Sequence, residues 1–84
     1  MVRKRIDFDA NVQSELRAID RRSAFQILQA IDGYSATGAG DVTRLQNVNP
    51  PELRLRVGDY RVRFYDYAES ILVLSVKHRR EAYR

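Results

Sequence analysis

The sequence predicts an α+β domain in which a hairpin of two short helices covers one face of a small, mostly antiparallel sheet, in the order β-α-α-β-β-β. Three observations predict it. Aspartates at positions 9 and 20 each precede apolar residues at helical spacing. A faultless apolar–basic alternation at 53–57 runs into a Gly58-Asp59 turn, and residues 70–77 form a nearly continuous apolar run. The 84 residues carry apolar material for a single core, so residues 1–84 read as one domain.

Val2, Ile6 and Phe8 share one parity, and Arg3, Arg5 and Asp7 the other, which predicts a first strand over residues 2–8. Asp9 is placed to cap a helix with Val12, Leu16 and Ile19 on one stripe. Asp20 is placed to cap a second helix bearing Ala24, Phe25, Leu28 and Ile31, and Gly33 to end it in a left-handed conformation. Residues 34–41 (YSATGAGD) then read as a connecting loop. They lack the lysine and spacing of a phosphate-binding glycine loop. A short strand is expected at 42–45, and Pro50-Pro51 excludes helix from the turn region 47–51.

The second half is the more informative. A two-residue turn at Gly58-Asp59 sets Val57 opposite Tyr60, Arg56 opposite Arg61, Leu55 opposite Val62, and Arg54 opposite Arg63. One face of this hairpin is then apolar (Leu53, Leu55, Val57, Tyr60, Val62, Phe64) and belongs to the core. The other carries Arg54, Arg56, Arg61 and Arg63 as directly opposed like charges, an arrangement that costs stability. A bridging anion offsets that cost, and a phosphate backbone is well suited to it. Glu52, Asp66, Glu69 and Glu81 are the carboxylates available to pair some of these arginines instead. Tyr65 and Tyr67 share the arginine parity, so rings able to stack on unpaired bases flank the charges. The last strand, at 70–77, is apolar enough to be covered on both faces.

Charge placement agrees with a polyanionic partner. Residues 1–43 hold six basic and six acidic side chains, whereas 44–84 hold nine and five, so the whole net charge of +4 lies in the second half. Nucleic acid is the first expectation and an acidic protein the second. The absence of cysteine excludes disulfides and thiolate metal sites and suits a reducing cytoplasm. The N-terminal basic residues are not followed by the apolar core of a secretion signal, and the longest strongly apolar stretch, 71–76, is too short to span a bilayer. A soluble, cytoplasmic protein without membrane contact is expected.

The chain closes on KHRREAYR, residues 77–84. His78 is its only histidine and the one side chain whose ordinary pKa lies near neutrality. If the last strand ends beside the arginine face, the face combines a proton-exchanging group, fixed positive charge and a phenol. Those are the parts of metal-free RNA cleavage. The 2′-OH attacks the adjacent phosphate, a base takes its proton, an acid protonates the 5′-oxygen, and cations stabilise the phosphorane. One histidine and no clustered carboxylates make a poor metal-ligand set, so neither metal nor other cofactor is expected.

The span RLQNVNPPELRLRVGDYRVRFY followed by VKHRREAYR resembles the RelE branch of the RelE/ParE toxin superfamily, with shorter similarity reaching back through the β-α-α start. The resemblance implies the RelE-like microbial RNase fold and a toxin that enters the ribosomal A site and cleaves the mRNA there, inhibiting translation. It also implies neutralisation by a cognate RelB-like antitoxin. By motif, Arg61 contacts the scissile phosphate, Arg79 stabilises the transition state or leaving group, and Tyr83 stacks on or orients a base. Arg54 stands where the best-studied members have lysine, and Glu52 stands where a second lysine occurs, a departure from the pattern. His78 is assigned proton transfer. Arg56, Arg63, Lys77, Arg80 and Tyr65 are the expected RNA contacts. Two alternatives share the fold: a ParE-like inhibitor of DNA gyrase, and a member that binds RNA or antitoxin without cutting.

Overall fold

The computed structural model describes residues 3–45 and 49–82. Its elements are β1 (Arg5–Phe8), α1 (Ala10–Arg17), α2 (Arg21–Thr37), β2 (Val42–Arg44), β3 (Glu52–Val57), β4 (Tyr60–Asp66), β5 (Ser70–His78) and a final helical turn, α3 (Arg79–Ala82). The five strands form one sheet in the order β1-β5-β4-β3-β2. β1 runs parallel to β5, and every other pairing is antiparallel. This is the expected α+β architecture: the short strand expected at 42–45 is the edge strand β2, and a terminal helical turn is added. No helix among the described residues is long and apolar enough to cross a membrane.

The helices cover one face. Val12, Ile27 and Ile31 close over Leu53, Leu55, Val62, Phe64, Ile71, Val73 and Val76 to make a single buried cluster. α1 also finishes the edge of β5 where β1 has ended. Asp9 donates its N–H to the Val73 carbonyl (2.9 Å), Asn11 Nδ2 donates to the Leu74 carbonyl (3.0 Å), and Glu15 Oε1 accepts from the Val76 N–H (3.0 Å). Backbone groups of β5 that would otherwise face solvent unpaired are thus satisfied by the Asp9 N–H and by two side chains of α1.

Asp20 caps α2 as expected, accepting from the Ser23 N–H at 3.0 Å. That bond holds its carboxyl below the usual range, so its contribution to stability is present above pH 3.8 and lost as acid protonates it. Asp9 occupies the cap position of α1, but its side chain makes no capping bond.

The end of α2 differs from expectation. Gly33 does not terminate the helix, which continues a further turn to Gly38, the residue that takes the left-handed conformation (φ 77°). Packing overrides the local preference of glycine. Ser35 is buried, the Tyr34 ring meets Phe64 edge-on at 5.0 Å, and the Tyr34 hydroxyl donates to Asp66 Oδ2 at 2.9 Å. Lys4 Nζ completes this tie, 2.5 Å from Asp66 Oδ1. The two glycines therefore predict opposite outcomes. A methyl at Gly33 meets nothing within 4 Å in a helical conformation, so Gly33→Ala raises stability by about 0.5–1 kcal/mol. Gly38→Ala forces an L-residue to positive φ and lowers it by about 1–2 kcal/mol. Urea denaturation of both variants checks the contrast.

Burial, with the bond to Asp66 adding to it, pushes the Tyr34 phenol up to about 12 from an ordinary 10.0. Because the folded value is the higher one, this tie stabilises fully below pH 10 and is lost as pH rises through about 12. Spectrophotometric titration is expected to show a phenolate component near 12 that Tyr34→Phe removes.

Candidate nucleic-acid interface

The register of the β3–β4 hairpin is the one its turn dictates. Gly58 has φ 58°, and Arg54 pairs with Arg63, Leu55 with Val62, Arg56 with Arg61 and Val57 with Tyr60. Strand alternation then sends Arg54, Arg56, Arg61, Arg63 and Tyr65 to the face away from the helices, while Leu53, Leu55, Val62 and Phe64 are buried beneath them. β5 adds Lys77 opposite Arg61 and Ser75 opposite Arg63. Phe64 next pairs with Val73, so Leu74 is an unmatched residue at a β-bulge.

The cations of this open face are not equivalent. Arg63 is clamped by Glu52, with Nη2 2.7 Å and Nε 3.2 Å from the two carboxylate oxygens. Glu52 is only 6% exposed, and its bond raises the Arg63 pKa further above the guanidinium norm. Lys77 Nζ lies 2.5 Å from Glu15 Oε2, a bond that likewise raises the pKa of the ammonium. Arg61 instead lies over its own turn, its Nη1 donating to the carbonyls of Gly58 and Tyr60 at 3.0 Å each. Among the described residues neither Arg56 nor Arg61 has a carboxylate partner. Asp66, a candidate partner by sequence, is taken by Lys4 and Tyr34 on the other side of the sheet.

Two concavities flank Arg61. One, of about 300 Å³, is lined by Arg54, Arg56, Thr43, Leu45 and Asp41. The other, of about 490 Å³, lies between α1, β5 and α3. Arg61 is a wall of both. Tyr65 stands on the same face, its ring 6.2 Å from that of Tyr67 and inclined at 64°. Arg79 is exposed beside the hairpin turn, its N–H bonded to the Asp59 carbonyl (2.6 Å) and its Nε 3.8 Å from Asp59 Oδ1. Arg80 is exposed on the next position of α3. Tyr83 lies outside the described residues.

His78 is a correction. The imidazole does not join the arginines, because β5 alternates and Lys77 already occupies the open face. His78 pairs with Tyr60, meets its ring edge-on at 5.5 Å, and lines a cleft with Ala18 and Ile19 on the helix-covered side. Its Nδ1, as oriented, accepts from the Arg80 N–H at 3.2 Å, which ties the start of α3 to the strand end. Among the described residues no three His, Asp or Glu side chains are grouped to hold a metal ion.

This face brings together opposed arginines, aromatic rings and two grooves, and comparison with known proteins gives it a context. The family of ParE toxins of type II toxin–antitoxin systems (parDE) matches residues 6–83. The chain belongs to this toxin family. Its fold is shared with the archaeal RelE–RelB complex of Pyrococcus horikoshii (TM-score 0.81, 23% identity, covering 96% of this chain and 100% of the other). It is shared also with the RelB–RelE antitoxin–toxin complex of Methanococcus jannaschii (0.76, 20%, 92% and 94%). The toxin–antitoxin complex RelBE2 of Mycobacterium tuberculosis gives 0.74 at 20% identity, covering 93% of each chain. None of the curated proteins matches the sequence. Family and fold together make the chain a toxin of the RelE/ParE superfamily. At these identities the structural likeness is one of fold, so what the toxin attacks has to be argued from its own surface.

Proposed function

We propose that the toxin is a ribosome-dependent mRNA endonuclease that inhibits translation, with the open sheet face as its RNA-binding and cleaving surface. The observation that carries this reading is Arg56 facing Arg61 without a carboxylate between them, beside Arg54 in the smaller groove. A phosphate there offsets the repulsion between guanidinium groups. The same groups are then in place for the extra negative charge of a phosphorane. In the reaction the 2′-oxygen forms a bond to phosphorus as the bond from phosphorus to the 5′-oxygen breaks. One proton leaves the 2′-OH and one arrives on the 5′-oxygen. Arg61 holds the scissile phosphate, Arg54 and Arg56 hold its neighbourhood, and Arg79 reaches the leaving side from the turn. Arginine stays protonated, so proton transfer falls to another group. With the imidazole on the other side of the sheet, Tyr83 or the ribosome itself supplies it. His78→Gln accordingly slows cleavage far less than the roughly 10²–10⁴-fold expected for a general acid or base. Single-turnover assays on ribosomes measure this directly.

A RelB-like antitoxin is the proposed protein partner, as in the complexes that share the fold. Its carboxylates suit the arginines. Phe8, Phe25 and Leu28, exposed by 46%, 62% and 40%, suit the apolar face of an amphipathic helix.

A second reading, a ParE-like inhibitor of DNA gyrase, is favoured by two observations. The matching family is that of ParE, and among the described residues no histidine faces the arginines. Primer extension on mRNA from expressing cells, run beside a DNA supercoiling assay, separates the two. Cleavage within codons with unimpaired supercoiling supports the nuclease, and the reverse supports the gyrase inhibitor.

A further inference from the structure

The larger groove on the open face contains a hydroxyl group that bonds to no other described residue. Ser75 lies opposite Arg63, directly after the bulge that inserts Leu74, and lines the groove of about 490 Å³ between α1, β5 and α3. It is 6% exposed, and among the described residues its Oγ has no hydrogen-bond partner. A shielded hydroxyl without a partner is costly, and an alanine would fill the same place on the strand without that cost. Bulges, in turn, often sit beside binding sites, where they re-aim side chains. The volume of the groove falls within the range of small-molecule sites.

The charges on its walls indicate which part of a nucleotide fits. Arg63 is already held by Glu52 and Lys77 by Glu15, and Glu81 adds a further carboxylate to the wall. A phosphate placed here meets Glu15 and Glu81. In the neighbouring groove it meets Arg54 and Arg56, with Asp41 the one carboxylate. Leu74 and Ala82 give the larger groove an apolar surface, and Ser75 gives it a donor and acceptor. That combination suits a flat, uncharged, hydrogen-bonding group. Rotation about a single bond redirects a serine hydroxyl, so no backbone shift is needed to meet a ligand.

We propose that this groove is a nucleobase subsite. A base lies against Leu74 and bonds to Ser75 Oγ, while its phosphate is held across Arg61 by Arg54 and Arg56. The proposal rests on the reading of the arginine face as an RNA-binding surface and adds which part of the nucleotide goes where.

The test is an NMR titration of the full chain, ¹⁵N-labelled, with adenosine 3′-monophosphate, uridine 3′-monophosphate and ribose 5-phosphate at constant ionic strength. Both nucleotides are expected to move the amides of Leu74 and Ser75, whereas ribose 5-phosphate moves only those of the β3–β4 hairpin. Ser75→Ala is expected to weaken nucleotide binding about 3–10-fold, the worth of one hydrogen bond, and to leave ribose 5-phosphate unaffected. Its melting temperature is expected not to fall, because the lost hydroxyl bonds to nothing among the described residues. Nucleotides that bind no better than ribose 5-phosphate overturn the subsite, as does a Ser75→Ala protein that binds them like the wild type. Failure of all three probes to bind overturns it together with the phosphate site. Base-dependent binding by a toxin that leaves mRNA uncut in primer extension removes only the nuclease reading. Cut mRNA without base-dependent binding removes only the subsite.

Discussion

Arg61→Ala is expected to give a folded protein that no longer arrests growth. The side chain lies on the open face and, among the described residues, bonds only to the carbonyls of Gly58 and Tyr60, so the core beneath it is unchanged. Losing those two bonds is offset in part by relief of repulsion with Arg56, and stability stays within about 0.5 kcal/mol, as for most surface substitutions. Function falls much further. Arg61 is the wall common to both grooves, so under the proposed function its removal takes away a phosphate contact and a cation that stabilises the developing charge. The loss of one such donor lowers a cleavage rate by roughly 10²–10³-fold. Arg61→Lys restores the charge without the two-pronged geometry and is expected to recover activity only in part. Growth curves, circular dichroism and cleavage on ribosomes together separate a lost site from a lost fold. A folded Arg61→Ala protein of undiminished toxicity overturns the assignment.

Phe64→Ala carries the largest expected effect on stability. Phe64 is 1% exposed, contacts the Tyr34 ring, and sits where β4 meets the bulge of β5. Truncating a buried phenylalanine costs about 3–5 kcal/mol. Small domains have little more than that in reserve, their total stability being about 5–15 kcal/mol and low in that range for a chain of this size. Urea denaturation is expected to show a midpoint near zero denaturant or no cooperative transition. Toxicity is lost with the fold rather than with the chemistry, and reduced soluble yield distinguishes this variant from Arg61→Ala. The bulge that places Ser75 opposite Arg63 depends on the same packing, so the core and the interface fail together.

How much of this was legible in the sequence depended on whether local rules decide the question. The hairpin was legible in full, because a two-residue turn fixes the pairing and perfect alternation then fixes the faces of Arg54, Arg56, Arg61 and Arg63. The continuation of α2 past Gly33 was not. It is decided by contacts of Tyr34 with Phe64 and Asp66, residues 30 and 32 positions away in sequence. His78 was misplaced for a different reason. A strand apolar on nearly every residue gives no parity, and the extra residue at Leu74 shifts whatever parity the first half of β5 has. Proximity to the arginine face was readable from topology; the direction of the side chain was not. Glu52 was visible as a departure from the pattern of related toxins. It was visible also as a carboxylate able to pair one of the arginines, and the diagonal geometry of the sheet decides that its partner is Arg63. Glu15 gave no signal at all, since nothing in α1 shows that it finishes the edge of β5 and holds Lys77.

Cleavage of a defined mRNA on programmed ribosomes, with the A-site codon either all-ribose or carrying a single 2′-deoxynucleotide, tests the central claim most directly. Attack by the 2′-oxygen predicts that the toxin cuts the all-ribose message within the A-site codon, leaves a 2′,3′-cyclic phosphate, and fails at the deoxy position. It also predicts that Arg61→Ala cuts neither message at a comparable rate. An uncut ribose message, or one cut equally well at the deoxy position, contradicts the arginine face as a site of 2′-hydroxyl chemistry.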